Sequence, residues 1–169
     1  NIMALNLSNL PPDLTKDEVV KRLVGDVREV FSTMVEMEDL LHLPMLIETV
    51  TQFENCVTAM VGLAGTYNGL ISIHAPLQQA LGITSGMLGQ EVTAFNDDVR
   101  DALGEIANMI AGSFKRHLSK GGTDIRLSTP SVITGKEYTV AARNPDETIS
   151  LHFATDESWF VVSVIFEKE

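Results

Sequence analysis

A long amphipathic stretch between Asn96 and Leu118 constrains the fold of this chain more than any other feature of its sequence. Its apolar side chains recur every three or four residues, and at about 100° per residue they fall within about 80° of arc on one side of a helix. They are Val99, Leu103, Ile106, Ile110 and Phe114. Gly121 and Gly122 end the pattern. A helix with one apolar side must pack on another layer, so the sequence predicts a folded domain around it.

The rest of the chain predicts a second long helix and several strands. The second helix begins at Asp13 or Thr15, where Thr15 and Glu18 form a capping box, and it ends before Pro44. A short helix runs from Pro76 to Gly89. Strands are predicted at Phe53–Leu63, Tyr67–Ala75, Ile125–Ile133, Tyr138–Ala142, Ile149–Ala154 and Trp159–Phe166, with turns at Gly135-Lys136 and Asn144-Pro145-Asp146. The predicted fold class is therefore α+β, with two long helices packed on a largely antiparallel sheet whose last strands form a meander.

The two long helices also suggest an internal repeat. When Leu23 is aligned with Val99, five apolar positions of one helix meet apolar positions of the other. The aligned positions are Leu23, Val27, Val30, Phe31 and Met34 with Val99, Leu103, Ile106, Ala107 and Ile110. Such a match predicts a fold with pseudo-twofold symmetry, although any two amphipathic helices align well with each other.

Composition limits the class of protein and of partner. The chain of 169 residues carries a formal charge of −11, and such a surface repels phosphate backbones, so we expect no nucleic-acid ligand. The stretch Cys56–Val92 is almost uncharged, but glycines and Pro76 interrupt it, and we expect no membrane insertion. Cys56 is the single cysteine, so no internal disulfide can form and a reducing cytoplasm is the expected location.

We expect one domain over residues 13–169, preceded by a poorly ordered leader of residues 1–12. A chain of this length buries enough apolar surface to form a core of its own. The histidines show no metal-ligand spacing, so we expect no metal site in this chain. They are His42, His74, His117 and His152.

A polar row lies opposite the apolar side of the Asn96–Leu118 helix. Asp101, Glu105 and Asn108 fall within about 60° of arc, and Gly112 follows one turn later. Gly104 flanks the row, and a glycine inside a helix costs about 1 kcal/mol relative to alanine, a cost that close approach of a partner's backbone would explain. The row is either a solvated helix face or a functional surface. In the second case Glu105 pairs with a cation, and the amide of Asn108 orients a water molecule.

The row belongs to a motif, D-x3-E-x2-N, within DDVRDALGEIANMIAGSFK and after ALGITSGMLGQEV. In this setting the chain resembles the CheX branch of the CheC/CheX/FliY phosphatases of bacterial chemotaxis, which dephosphorylate the response regulator CheY. The resemblance implies a phosphoaspartate protein phosphatase, with Glu105 pairing with a receiver-domain lysine and Asn108 aligning the attacking water. Asp101 matches the acid that opens the motif. Asp101, Gly104 and Gly112 are expected to contact the receiver beside Glu105.

The resemblance also implies partners. The substrate would be a phosphorylated CheY-like receiver that carries its own Mg²⁺, while this chain binds no cofactor and forms a homodimer through its sheet. CheC-type members carry the motif on both long helices. Here Gly25 and Ser32 replace the acid and the amide of the first helix and leave only Glu29, so a single site is expected.

Two other functions stay open on the sequence. A non-catalytic module would bind a receiver or a flagellar-switch component through the same helix face without requiring Asn108, and a structural dimerisation domain would require none of the row. The apolar stretch Trp159–Phe166 is either a central strand buried on both faces or an edge strand that pairs with a second chain. No residue identifies the particular response regulator.

Overall fold

Three helices and seven strands make up the fold in the computed structural model, which describes residues 14–44, 50–118, 120–141 and 148–167. The predicted leader and the predicted turn at Asn144-Pro145-Asp146 lie outside these residues. In chain order the elements are α1 (Lys16–Val30), a π-helical turn (Phe31–Val35), β1 (Leu41–His42), β2 (Gln52–Gly65), β3 (Asn68–Pro76), α2 (Leu77–Leu88), α3 (Asp97–Lys115), a 3₁₀ turn (Lys120–Gly122), β4 (Ile125–Leu127), β5 (Ser131–Thr139), β6 (Thr148–Ala154) and β7 (Trp159–Glu167). The prediction of an α+β fold with helices on a largely antiparallel sheet is confirmed.

The strands form one sheet in the order β1-β6-β7-β3-β2-β4, and β5 also pairs with β2. Every pairing is antiparallel, and Ser72 of β3 lies opposite Ser163 of β7. Because β7 pairs with β3 on one side and β6 on the other, the stretch Trp159–Phe166 is a central strand, the first of its two predicted alternatives. Six of its residues, from Phe160 to Val164 and Phe166, are buried.

The sheet pairing has the symmetry that an internal repeat requires. α1 is followed by β1, β2 and β3, and α3 is followed by β4, β5, β6 and β7. β1 pairs with β6 of the other half, β5 pairs with β2, and β3 and β7 meet at the centre. The aligned apolar side chains of the two helices are buried, apart from Met34, which is half-buried in the π-helical turn.

Local signals set the helix ends. The capping box of α1 is present, with the Thr15 side chain accepting from the Glu18 N–H and the Glu18 side chain accepting from the Thr15 N–H. Asn96 caps α3 by accepting from the Val99 N–H at 3.1 Å. Gly89 ends α2 in the left-handed conformation with φ of 67°. None of the helices in the described part of the chain has the length and apolar character needed to cross a bilayer.

The predicted meander after α3 is confirmed for β6 and β7, which pair with each other, and is wrong for the strands before them. Ile125–Ile133 is not one strand, because Ser128–Pro130 separates β4 from β5, and Pro130 has no N–H to give to a ladder. The predicted turn at Gly135-Lys136 and the predicted strand Tyr138–Ala142 both give way to β5, in which Gly135 lies opposite Cys56. Pairing of β5 along the edge of β2 overrides the turn preference of glycine, since the ladder satisfies the backbone groups there.

Candidate functional site on helix α3

The predicted polar row lies on the outer side of α3. Asp101 and Glu105 are exposed, while Asn108 and Gly112 are half-buried. The opposite side of the helix is fully enclosed, with Leu103, Ile106 and Ile110 each 0% exposed. α3 packs on β2 and β3 and against α1 and α2. The row therefore projects from a helix whose rotation about its own axis is set by the core.

Contacts at both ends hold α3 in place. Asn96 caps its first turn, and the Nζ of Lys115 in its last turn donates to the backbone oxygen of Ile125 at 3.0 Å. Just beyond the helix, Nε2 of His117 lies 3.0 Å from Oδ2 of Asp26 on α1. The helix is thus anchored to β4 and to α1, which are distant from it in the sequence. A helix held in this way can present side chains in a fixed direction.

Charge and hydrogen-bonding capacity on the row are available to a partner. Asp97 engages Arg100 at 2.7 Å, but neither Asp101 nor Glu105 has an ion pair with any residue that the structure describes. The side-chain amide of Asn108 makes no hydrogen bond within the same part of the chain. An uncommitted carboxylate one turn from an uncommitted amide can bind a cation and orient a water molecule.

Gly104 flanks the row on α3, and it packs against the protein's own chain. It is buried, and a Cβ built on it would lie 3.3 Å from Cβ of Pro130 and 3.9 Å from Cγ2 of Val132. The glycine therefore permits close approach of the chain's own β4–β5 loop, and its expected contact with a receiver stays a prediction. Gly112 has more room, since its Cβ would meet Leu127 at 3.9 Å, an ordinary contact.

The sequence does not reveal Pro130 as a neighbour of the row. A glycine inside a helix signals that something approaches closely, but no local pattern says which residue does so. The burial of Asp26 at 6% exposure and its contact with His117 were also not predicted, although a single acid within the apolar side of α1 was a visible signal. Both contacts join segments far apart in the chain.

The corresponding face of α1 differs from the α3 row. Gly25 and Glu29 are exposed, whereas Ser32 lies in the π-helical turn that follows α1. A π-helical turn changes the angle between successive side chains, so Ser32 does not continue the row as Asn108 does. Gly25 in place of an acid and this change of helix type both distinguish α1 from α3.

Other candidate groups do not form a second chemical centre. Cys56 is 2% exposed, and burial raises the pKa of its thiol, so it is not activated as a nucleophile. Among the described residues no three His, Cys, Asp or Glu side chains are grouped to hold a metal ion. Two surface pockets of about 330 and 570 Å³ are lined by residues outside α3. The row is an open helix face, and such a face suits a protein partner better than a small molecule.

Comparisons with known proteins agree with this arrangement. The family model described as chemotaxis phosphatase CheX matches residues 57–154. The CheY-P phosphatase CheX of Thermotoga maritima is 23% identical over 123 residues, which cover 72% of this chain and 79% of that protein. The crystal structure of CheX from Vibrio vulnificus has a TM-score of 0.74 and 29% identity, with coverage of 89% of this chain and 97% of that one.

A third relative shares the fold at lower identity. CheX of Borrelia burgdorferi, solved in a complex with CheY, BeF3 and Mg²⁺, has a TM-score of 0.69 and 21% identity, and the match covers 89% of this chain and 98% of that one. The family match spans more than half of the chain and includes the polar row on α3. The resemblance to CheX proteins inferred from the D-x3-E-x2-N motif and the prediction of a phosphatase are confirmed by it. This chain therefore belongs to the chemotaxis phosphatase CheX family.

Proposed function

We propose that this chain hydrolyses the aspartyl phosphate of a CheY-like receiver domain, with Asn108 orienting the attacking water and Glu105 docking on a lysine of the receiver. The observation that carries the proposal is the pair formed by Asn108 and the exposed Glu105, one turn apart on the outer side of α3, neither of which has a side-chain partner among the residues that the structure describes. The Thermotoga maritima relative, named as a CheY-P phosphatase, supports this substrate class.

Hydrolysis of an aspartyl phosphate requires few groups from the phosphatase. An aspartyl phosphate is a mixed anhydride, and its hydrolysis needs an in-line water together with neutralisation of the phosphoryl charge. We expect the receiver to supply Mg²⁺ for that charge, as the presence of Mg²⁺ in the complex of Borrelia CheX with CheY suggests. The remaining requirement is orientation of the water, which an amide that donates and accepts hydrogen bonds can meet.

The shape of the site fits a protein substrate. We expect the receiver to hold its phosphorylated aspartate in a recess, which a group on a convex surface can reach. α3 presents such a surface, with Asp101 and Glu105 exposed on the two turns that precede Asn108. We expect Asp101 and Gly112 to lie at the edges of this contact. The cytoplasm stays the expected location, because the substrate is an intracellular signalling domain.

Substitution of Asn108 tests the catalytic role. A receiver charged with acetyl phosphate in Mg²⁺ is expected to release phosphate faster when the wild-type chain is added. Asn108→Ala is expected to lower this release by about 10²–10³-fold, the usual effect of losing one positioning hydrogen bond at a reacting centre. Circular dichroism and thermal unfolding should match the wild type, because the amide makes no hydrogen bond within the described residues. A variant that retains most of the activity removes Asn108 from the mechanism.

Substitution of Glu105 tests the docking role. Glu105→Ala is expected to weaken receiver binding by about 2–5 kcal/mol if the charge pair is buried in the complex, and by less at its rim. Isothermal titration calorimetry with a phosphorylated or BeF3-treated receiver measures the change. Glu29→Ala is the matched control, since Glu29 occupies the aligned position on α1 and is also exposed. Equal affinity for the two variants contradicts the docking role.

The same variants separate an enzyme from a binding module. A non-catalytic protein that docks on a receiver or a flagellar-switch component through α3 needs Glu105 but not Asn108. Unchanged phosphate release with and without the wild-type chain, together with measurable receiver binding, favours that alternative. The amide of Asn108 beside Glu105 favours the enzyme, because an amide can orient a water molecule by donating and accepting hydrogen bonds at once, and binding alone does not require this.

A further inference from the structure

The contact between Gly104 and Pro130 lies next to the proposed catalytic amide. A Cβ at Gly104 would come within 3.3 Å of Cβ and 3.9 Å of Cγ of Pro130. A separation of 3.3 Å is tighter than nine in ten real Cβ contacts, so a methyl group there requires a shift of the loop or of the helix by a few tenths of an ångström. The absence of a side chain at residue 104 thus lets Pro130 pack on α3 without such a shift.

The loop that carries Pro130 has little freedom to move away. Ser128 donates its N–H to the Gly62 backbone oxygen at 2.9 Å, and its Oγ accepts from the Gly62 N–H at 2.8 Å. On the other side of Pro130 the ladder of β5 begins at once, with Ser131 opposite Met60. Pro130 is therefore held on both sides by β2, and its own ring fixes the backbone φ.

Helix geometry places Asn108 next to the contact between Gly104 and Pro130. Gly104 and Asn108 are four residues apart on α3 and so lie on one side of it, about 5–6 Å apart at Cβ. A helical side chain leans toward the N-terminus and covers the turn before its own Cα. From this geometry we expect the half-buried Asn108 to lean toward Gly104, where Pro130 packs against the helix.

We infer that Pro130, seated on Gly104, is a positioning residue for the reaction: it limits the directions in which the Asn108 amide can point and sets the height of that amide above the helix. The inference rests on the proposed function. It assigns a role to the β4–β5 loop and explains why residue 104 has no side chain. A displacement of a few tenths of an ångström at this contact would pass directly to the amide that aligns the water.

Turnover of Gly104→Ala tests the inference. The added methyl is expected to lower kcat for phosphate release by about tenfold, since small misplacements of a catalytic group cost this much or more. KM for the phosphorylated receiver is expected to stay within about twofold, because Glu105 remains exposed. Alanine favours a helix more than glycine does, so a simple loss of helix stability does not account for the effect. A kcat equal to that of the wild type overturns the inference.

A double-mutant cycle with Pro130→Gly tests the contact itself. Pro130→Gly alone is expected to lower kcat, because the ring beside the amide is lost. Gly104→Ala is then expected to add no further loss in the Pro130→Gly protein, since the ring and the Cβ that the new methyl meets are gone. Independent effects, in which the double variant is as slow as the product of the two singles predicts, contradict the inference. Coupling of this kind is specific to a steric contact between these two residues, and a general loosening of the loop would not produce it.

Two further variants serve as controls for the kcat of Gly104→Ala. Gly25→Ala in α1 is the matched control, because a Cβ there meets nothing within 4 Å, and its kcat should equal that of the wild type. Asn108→Ala is assayed in parallel. If Asn108→Ala is inactive while Gly104→Ala keeps full kcat, the positioning role alone is wrong. If Asn108→Ala keeps full activity, the proposed function fails and the inference fails with it.

Discussion

Asp26 is a buried acid in an apolar setting. It is 6% exposed on the inner side of α1, and His117 contacts both of its oxygens, at 3.0 and 3.2 Å. Burial raises the pKa of Asp26 above its ordinary value of 3.8, although His117 and the nearby Arg116 oppose the shift. Protonation of Asp26 is therefore more favourable in the folded state than in the unfolded state, and the ionised carboxylate is a cost to stability that its histidine partner does not fully offset.

The pH dependence of stability tests this balance. The raised pKa of Asp26 means that the folded state holds its proton longer than the unfolded state, so stability falls as pH rises from about 3.8 through the folded pKa. Asp26→Asn imitates the protonated form at every pH. Urea unfolding should show equal stability of the two proteins below this window and a more stable Asn variant above it. A less stable Asn variant at neutral pH shows that the ion pair with His117 outweighs the burial.

At the scale of elements, the strand β5 stays in the sheet although most of its side chains are exposed. One edge of β5 forms backbone hydrogen bonds with β2 over most of its length. Near its end, the Tyr138 hydroxyl lies 2.8 Å from Oγ1 of Thr58, which lies 2.7 Å from Nδ1 of His74 on β3. Phe53 stacks on the His74 ring at 4.3 Å. This chain of hydroxyls and imidazole joins three strands and helps to hold the edge strand.

Acid should loosen this cluster. Burial lowers the pKa of His74 from 6.5 to about 4, so the neutral ring contributes stability above pH 6.5 that is lost as pH falls toward 4. His74→Phe keeps a planar ring against Phe53 but does not titrate. It is expected to lose about 0.5–1.5 kcal/mol at neutral pH with the hydrogen bond to Thr58. Urea unfolding from pH 7 to pH 4 should then show a smaller loss for His74→Phe than for the wild type, and parallel curves would contradict this account.

At the scale of the molecule, we expect two chains to associate. β5 pairs with β2 on one side, and Ile133 on this strand is 38% exposed, a combination that favours pairing with a second copy. Sedimentation at micromolar concentration is expected to give the mass of a dimer, and Ile133→Lys to shift the mass toward one chain. Leu88→Lys, which alters an exposed side chain on α2, serves as the control. A wild-type mass of one chain contradicts the prediction.

Local patterns predicted the helices and the polar row well. The capping box at Thr15, the Asn96 cap and the end of α2 at Gly89 depend on residues three or four apart, and helix geometry is nearly independent of the rest of the fold. The same regularity placed Asp101, Glu105 and Asn108 on one outward side of α3 once its apolar side was known. Strands were predicted correctly where apolar and polar residues alternate clearly. The prediction was wrong at β5, because Gly135 suggested a turn there.

By itself, then, the order of residues determined which stretches become helices, which side of α3 faces outward and which chemical groups that side offers, because each depends on the periodicity of neighbouring residues. The tertiary structure alone decided that Pro130 sits on Gly104, that His117 meets Asp26 and that β5 lies along β2. These contacts join residues distant in the chain, and their free energy depends on how the sheet is ordered. No local preference of either partner encodes that order.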